Sequence, residues 1–297
     1  TGGRTSHAAV VARGMGTPCV CGCSDVVFKD ANTIVVNGKA YKKGAFLTID
    51  GAAGPVYEGQ VAVKPAAISG DLEKFLGWAD EVRNNSVRTT ASGKTVKGFD
   101  VYANGDTPKN AEDAFRFGAK GIGLCRTEHM FFDEPKLTAF QKMIVSESTE
   151  ARKENLAQIL PLQQKDFYEI IKAMNGYPVT IRLLDPPLNE FIQAEDDKAL
   201  KALAKKLGMK PAVLGQKVSA LDEHNPMLGH RGCRLAITYP EIYEMQVEAI
   251  ARATAQLDKE GVAHKVQIMI PNVVSYREVE VIRGQAEAVI AKVNEEC

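Results

Sequence analysis

Phe99-Asp100-Val101-Tyr102-Ala103, then Thr107-Pro108 opening an amphipathic stretch that stops at Gly118, then Gly121-Ile122-Gly123-Leu124-Cys125: this passage reads strand, helix, strand. A threonine cap, a proline at the first helical position and a glycine stop together mark a short helix. Alternation of strand and helix argues for parallel pairing. The rhythm repeats outward, with strands expected at Val179-Thr180-Ile181-Arg182-Leu183-Leu184 and at Val266-Gln267-Ile268-Met269-Ile270. Helical stretches fall between them, one reaching Asn175-Gly176 and others over residues 194–208 and 240–261. The fold class is therefore α/β. Four strand-helix units make either half of an eightfold barrel or a short open sheet.

Upstream the texture changes. Residues 60–98 read as a connector, with one amphipathic helix in which Leu72, Phe75, Leu76, Ala79 and Val82 recur at helical spacing after Asp71. The polar run 83–98 is expected to be a loop or hinge. Before it lies a small mixed domain. A helix is expected over residues 8–12, capped by Ser6 or Thr5, with Gly14 or Gly16 at its exit. Strands follow at Thr33-Ile34-Val35-Val36, before the turn dipeptide Asn37-Gly38, and at residues 45–49, before Asp50-Gly51.

Bulk properties exclude several classes of partner. With 37 basic and 37 acidic residues among 297, no general attraction to nucleic acid or to an anionic membrane is expected. No apolar run reaches the roughly 20 residues that span a bilayer, and the opening residues lack a signal peptide's apolar core. The expectation is a soluble, cytoplasmic protein, an organelle such as a plastid or glycosome remaining open. The chain begins at Thr1, without methionine, and enters a motif within a few residues, so both ends are expected to be cuts. Of six cysteines, three lie in Cys19-Val20-Cys21-Gly22-Cys23. That spacing is tighter than zinc ribbons use, so the run is read as a small-residue strand with free thiols.

Three stretches carry chemistry. In Gly2-Gly3-Arg4-Thr5-Ser6-His7-Ala8-Ala9, glycines and a helix start offer unpaired backbone N–H groups and a positive dipole end to an anion. His7 in the first turn can present a ring nitrogen as nucleophile and be phosphorylated; a helix-cap or metal-ligand role is the alternative. Arg126 follows directly on the second strand and Arg182 lies near the end of the third, where a parallel barrel places its active site. Paired guanidiniums suit a small anion bearing carboxylate and phosphate; equally, they can be neutralised by Glu128 or Asp185. Glu128, Asp185 and Glu190 read as arginine partners rather than metal ligands. In Asn225-Pro226-Met227-Leu228-Gly229-His230-Arg231-Gly232-Cys233-Arg234, His230 and two arginines sit on a turn entering a helix, either solvated or near substrate.

Taken together these motifs resemble the phosphoenolpyruvate-utilising enzymes. Residues 5–16 look like that family's phosphohistidine motif. Gly121 to Phe132, Ile181 to Phe191 and Asn225 to Arg234 are similar to its pyruvate, phosphate dikinase branch, above all in His129 after Thr127-Glu128 and in the double proline after Asp185. The resemblance implies the C-terminal part of a swivelling phosphohistidine domain over residues 1–66, a helical linker over 67–98, and the first half of a (β/α)8 TIM-type barrel over 99–297. It implies a kinase-type transferase that interconverts ATP, pyruvate and phosphate with AMP, phosphoenolpyruvate and diphosphate. His7 would carry the phosphoryl group, Arg126 and Arg182 would bind substrate, and Thr5 would match a regulatory phosphorylation site of plant members. Magnesium is implied, but its acidic ligands, like the cysteine that protonates the enolate, belong to later strands beyond Cys297, and the ATP domain precedes Thr1. The stretch from Val87 to Gly98 looks longer than the family's. The segment alone is expected to be inactive, and the longer protein to be a homodimer. The alternatives are a phosphoenolpyruvate synthase and a non-catalytic module that binds a phosphorylated ligand.

Overall fold

A computed structural model describes residues 3, 9, 12, 17–51, 53–63, 70–194 and 196–297. Chain contacts divide it into two units, Thr1–Ser69 and Gly70–Cys297. In the first unit, β1 (Val26–Asp30), β2 (Thr33–Val36) and β3 (Lys39–Lys42) form an antiparallel sheet in that order. Asn37 and Gly38 both adopt positive φ, 47° and 78°, which is the twist a two-residue hairpin turn needs. β4 (Leu47–Ile49) pairs with β5 (Val56–Glu58). Of the helix expected over residues 8–12, only Ala9 and Ala12 are described, and both are helical. The residues from Cys19 to Cys23 are irregular rather than a strand. Cys19 and Cys21 bring their Sγ atoms 3.3 Å apart, which turns alternate side chains towards each other where a strand would separate them from its neighbours by facing both outward along one side.

The second unit opens with α1 (Asp71–Asn85), at the position its apolar spacing predicts. The polar run after it is a hairpin, β6 (Val87–Thr89) against β7 (Thr95–Lys97), where a loop was expected. β-Branched residues flank a turn in which the Thr90 hydroxyl accepts from Lys94 N–H, so local chemistry closes the hairpin with little burial. Four parallel strands follow: β8 (Ala103–Asn104), β9 (Ile122–Arg126), β10 (Pro178–Arg182) and β11 (Lys265–Met269). Their order in the sheet is their order in the chain, each paired in parallel with the next.

The first of these is shorter than Phe99-to-Ala103 predicts. Ala103 N–H still donates to Gly121, and Lys120 N–H to Val101, but Tyr102 lies against β9. A Cβ on Gly121 would meet the Pro178 carbonyl at 2.8 Å and the Tyr102 ring at 3.1 Å. The two glycines of Gly121-Ile122-Gly123 therefore serve close packing, the second beneath Tyr102 Cβ at 3.0 Å.

The connections are helical. α2 (Pro108–Arg116) has Thr107 as its cap, the hydroxyl accepting from Asn110 N–H, and ends before Gly118 at φ 91°. A 3₁₀ turn, Thr127–Phe131, leads into α3 (Lys136–Val145) and α4 (Thr149–Ala173). A second 3₁₀ turn, Leu188–Phe191, precedes α5 (Asp197–Leu207), which ends on left-handed Gly208, and α6 (Pro211–Ala220). Then come α7 (Cys233–Thr238), α8 (Pro240–Lys259) and α9 (Tyr276–Glu296).

The core lies between the central strands and α4 and α8, with Ile122, Val179, Ile181, Ile159, Phe167, Ile170, Ala249 and Leu257 fully or almost fully buried. A smaller cluster of Ile192, Ala204, Leu207 and Leu214 holds α5 to α6. Phe131, Phe140 and Phe191 join the two 3₁₀ turns, with ring centroids 4.5 Å and 4.9 Å apart about Phe140. Both turns sit directly beyond strand ends, so this aromatic knot fixes the loops that carry polar residues. Phe140→Ala is expected to lower unfolding free energy by about 3–5 kcal/mol in urea titration; a loss below about 1 kcal/mol would show that the knot is not structural.

Candidate active site

The carboxyl ends of the four parallel strands carry a cluster of charge. Arg126 and Arg182 are the last residues of β9 and β10, and they are register partners across the sheet. Two like charges on adjacent strands repel unless something intervenes. For Arg182 the intervention is complete: one terminal nitrogen bonds Glu128, and the other pairs with Asp185 at 2.9 Å. Arg126 is different. Among the described residues its guanidinium has no hydrogen-bond or ion-pair partner.

Asp185 is the hub. One of its carboxylate oxygens also accepts from Arg231 at 3.0 Å, and the other accepts from the Asn272 amide. The backbone around it is tied down as well. Leu183 N–H donates to Met269, extending the β10–β11 ladder, and Gly232 N–H donates to the Asp185 carbonyl at 3.0 Å. Gly232 has φ 56°, and a Cβ there would meet Asn272 and the Pro271 carbonyl near 3 Å, so both conformation and space demand glycine. From α8, the Tyr243 hydroxyl donates to the Leu184 carbonyl at 2.7 Å while Gln246 accepts from Leu184 N–H at 2.8 Å. Burial holds the Tyr243 phenol well above its ordinary range, so it stays a neutral donor.

Several polar atoms in this cluster are buried without a partner: Arg182 Nε, Arg231 Nε, Glu128 Oε2 and Thr127 Oγ1. Buried donors are normally satisfied, so an unmet set on a strand-end face marks a place for a ligand or water. Cys125, next to Arg126, is no candidate nucleophile, since burial pushes its thiol far up, reinforced by Asp106 and Glu128.

Two family models match this chain. Residues 80–297 match "PEP-utilising enzyme, PEP-binding domain", and residues 1–54 match "PEP-utilising enzyme, mobile domain". The chain belongs to the PEP-utilising enzymes. Relatives named pyruvate, phosphate dikinase are 45% identical over 294 residues in Rhizobium meliloti (strain 1021), 42% over 297 in Clostridium symbiosum, and 44% over 297 in the chloroplastic protein 1 of Arabidopsis thaliana. These alignments cover 98%, 99% and 98% of this chain but 31%, 32% and 29% of the relatives. The chain thus spans about a third of the length of the relatives it matches.

Within this PEP-utilising chain, the strand-end residues singled out from sequence meet in part. Arg182, Glu128 and Asp185 converge, so pairing with carboxylates describes Arg182; it does not describe Arg126. Glu190 is exposed on the second 3₁₀ turn. Of residues 225–234, Arg231 reaches the cluster, whereas His230 contacts Thr238 and Arg234 donates to the Gly229 carbonyl at 2.8 Å. His7 and Thr5 lie outside the described residues. Asn272, Tyr243, Gln246 and Asp106 escaped sequence reasoning. For Tyr243 and Gln246 the available signal was their helical spacing on a face otherwise apolar, as in Ile242, Met245, Val247, Ala249 and Ile250. Among the described residues no three His, Cys, Asp or Glu side chains form a metal-binding group, and Glu128 and Asp185 are engaged by arginines, so the residues present do not make a magnesium site.

Removing the hub exposes its role. Asp185→Ala leaves part-buried Arg231 without its carboxylate and is expected to cost about 3 kcal/mol of stability. Asp185→Asn, which keeps the shape and one of the two acceptor oxygens, should cost less; equal midpoints in chemical denaturation for wild type and Asp185→Ala would contradict the arrangement.

Proposed function

We propose that the chain is the carrier-and-acceptor portion of a pyruvate, phosphate dikinase, with His7 carrying a phosphoryl group between a nucleotide site elsewhere in the longer protein and pyruvate at the strand-end face. The observation that carries this reading is the arginine face itself: Arg126 unpartnered beside part-buried Arg182, at the ends of adjacent parallel strands. A small anion with a carboxylate at one end and a phosphoryl group at the other matches two guanidinium forks so placed. Whole-chain identity of 42–45% to proteins named for that reaction supports it.

In this reading residues 1–66 form the C-terminal part of a swivelling phosphohistidine domain, 67–98 a linker, and 99–297 the first half of a TIM-type barrel. Consecutive strand order with helical crossovers supports the barrel, because a doubly wound sheet reverses its strand order at a switch point. The chemistry is a transfer. The bond between phosphorus and the His7 ring nitrogen breaks, its electron pair staying on the ring, a bond from phosphorus to the enol oxygen of pyruvate forms, and a methyl proton of pyruvate passes to the cysteine that the resemblance places on a later strand. Arg126 and Arg182 hold the carboxylate and the phosphoryl oxygens, and their charge offsets the enolate as it develops. Magnesium is proposed as the cofactor of the longer protein, with its ligands outside the residues described. Thr5, two residues before His7, is proposed as a regulatory phosphorylation site, and the longer protein as a homodimer of the cytoplasm or of a plastid-like compartment.

Two measurements test the reading. In the full-length protein, mass spectrometry after incubation with phosphoenolpyruvate and magnesium is expected to place the phosphoryl group on His7 and to find none in His7→Asn. The nucleotide-side product is expected to be diphosphate; release of inorganic phosphate instead would assign a phosphoenolpyruvate synthase. In calorimetry, Arg126→Ala and Arg182→Ala are each expected to weaken phosphoenolpyruvate binding by about ten- to one-hundred-fold, the worth of a hydrogen bond between charged groups.

A further inference from the structure

The loop after β8 carries a residue that sequence gave no reason to notice. Asp106 Oδ1 accepts from the backbone N–H of Arg126 at 2.6 Å, and its Oδ2 lies 2.8 Å from Nδ1 of His129. These contacts grip the start and the middle of the 3₁₀ turn that Arg126 introduces. That turn has no side-chain cap of its own at Arg126, so the neighbouring strand's loop supplies the acceptor. Asp106 is itself placed firmly. Gly105 N–H donates to the Leu124 carbonyl at 3.1 Å, continuing the β8–β9 ladder, and a Cβ on Gly105 would press on Ile122 at 3.1 Å and Asn110 at 3.3 Å. Asp106 N–H donates in turn to the Asn110 side chain at 3.3 Å.

We infer that Asp106 and His129 are a positioning pair for the substrate-binding guanidinium of Arg126. Arg182 is aimed by two carboxylates on its own guanidinium, whereas Arg126 keeps its guanidinium unpaired and is oriented through its backbone instead. A free guanidinium fixed at its root stays available for an incoming anion without first breaking an ion pair. The inference rests on the reading of this face as a phosphoenolpyruvate site.

Calorimetric titration of the full-length protein with phosphoenolpyruvate in the presence of magnesium tests it. Asp106→Ala is expected to raise Kd about ten-fold, the scale of one hydrogen bond to a charged group, and His129→Ala about three-fold, the smaller worth of an exposed contact. Asp106→Asn and His129→Gln, which restore an acceptor and an N–H donor, are expected to stay within about two-fold of wild type. In an Arg126→Ala background neither alanine change should weaken binding further, because coupled residues do not add. The His129 side chain is 55% exposed, so its truncation reports on binding without threatening the fold. Wild-type affinity in both alanine variants, or losses that add to that of Arg126→Ala, would overturn the positioning role alone. Failure of the unsubstituted full-length protein to bind phosphoenolpyruvate would overturn the substrate reading and this inference with it.

Discussion

The strand-end face depends on one buried carboxylate. Asp185 accepts from Arg182, Arg231 and Asn272 at once, with its side chain 10% exposed. Withdrawing such a charge from water is costly, and only several well-placed donors offset it. The donors here come from separate parts of the chain: Arg182 from the end of β10, Arg231 from the loop before α7, and Asn272 from the loop after β11. Without the hub Arg231 and Asn272 would lose their carboxylate and Arg182 would keep only Glu128, so the three loops are constrained to one relative placement. A ligand-binding face built from loops needs such a constraint, since loops are otherwise the most variable part of a parallel-sheet fold.

The charges of the face are unevenly paired. Arg126, Arg182 and Arg231 share it with Glu128, Asp185 and Asp106, yet Asp106 meets Arg126 at its backbone N–H, and among the described residues the Arg126 guanidinium keeps no side-chain partner. The whole chain has equal numbers of acidic and basic residues and therefore no long-range field from a net charge. What the face offers an anion is this unpartnered guanidinium together with buried donors such as Arg182 Nε and Arg231 Nε that have no acceptor. An entering dianion would compete with Glu128 for Arg182 while meeting no competitor at Arg126, which divides the work between a held guanidinium and a free one.

What the sequence disclosed follows from how local each signal is. Thr107-Pro108 and Gly118 bound α2 where capping chemistry requires, and Asn37-Gly38 makes its hairpin turn, because both depend on neighbours a few residues away. Parallel pairing came from the strand-helix rhythm. The hairpin at Val87–Lys97 was hidden by its polar composition, which exposes nearly every side chain and leaves no apolar alternation to read. The short β8 was hidden for the opposite reason: Val101 and Tyr102 look like strand residues, yet Tyr102 is diverted to pack over Gly121 and Gly123. Arg126 and Arg182 were visible because they end apolar runs. Arg231, Asn272 and Asp106 contribute through contacts 46, 87 and 20 residues apart in sequence, and no local pattern encodes a separation of that kind.

Register is where these levels meet. Arg182 opposes Arg126 only because Ile181 opposes Cys125, and those two are held by burial with no exposed area. A slip of β10 by one residue would turn Ile181 and Val179 out of the core and send Arg182 to the face opposite Arg126, so the same apolar contacts that stabilise the sheet also set the spacing of the two guanidiniums. The irregularity between Val179 and Ile181 in this pairing shows that the match is adjusted within the strand rather than at its end. The loss of a core side chain such as Ile181 would therefore be felt at the strand-end face as a displaced arginine before it was felt as an unfolded chain, because the geometry of a bidentate contact tolerates less movement than the packing that supports it.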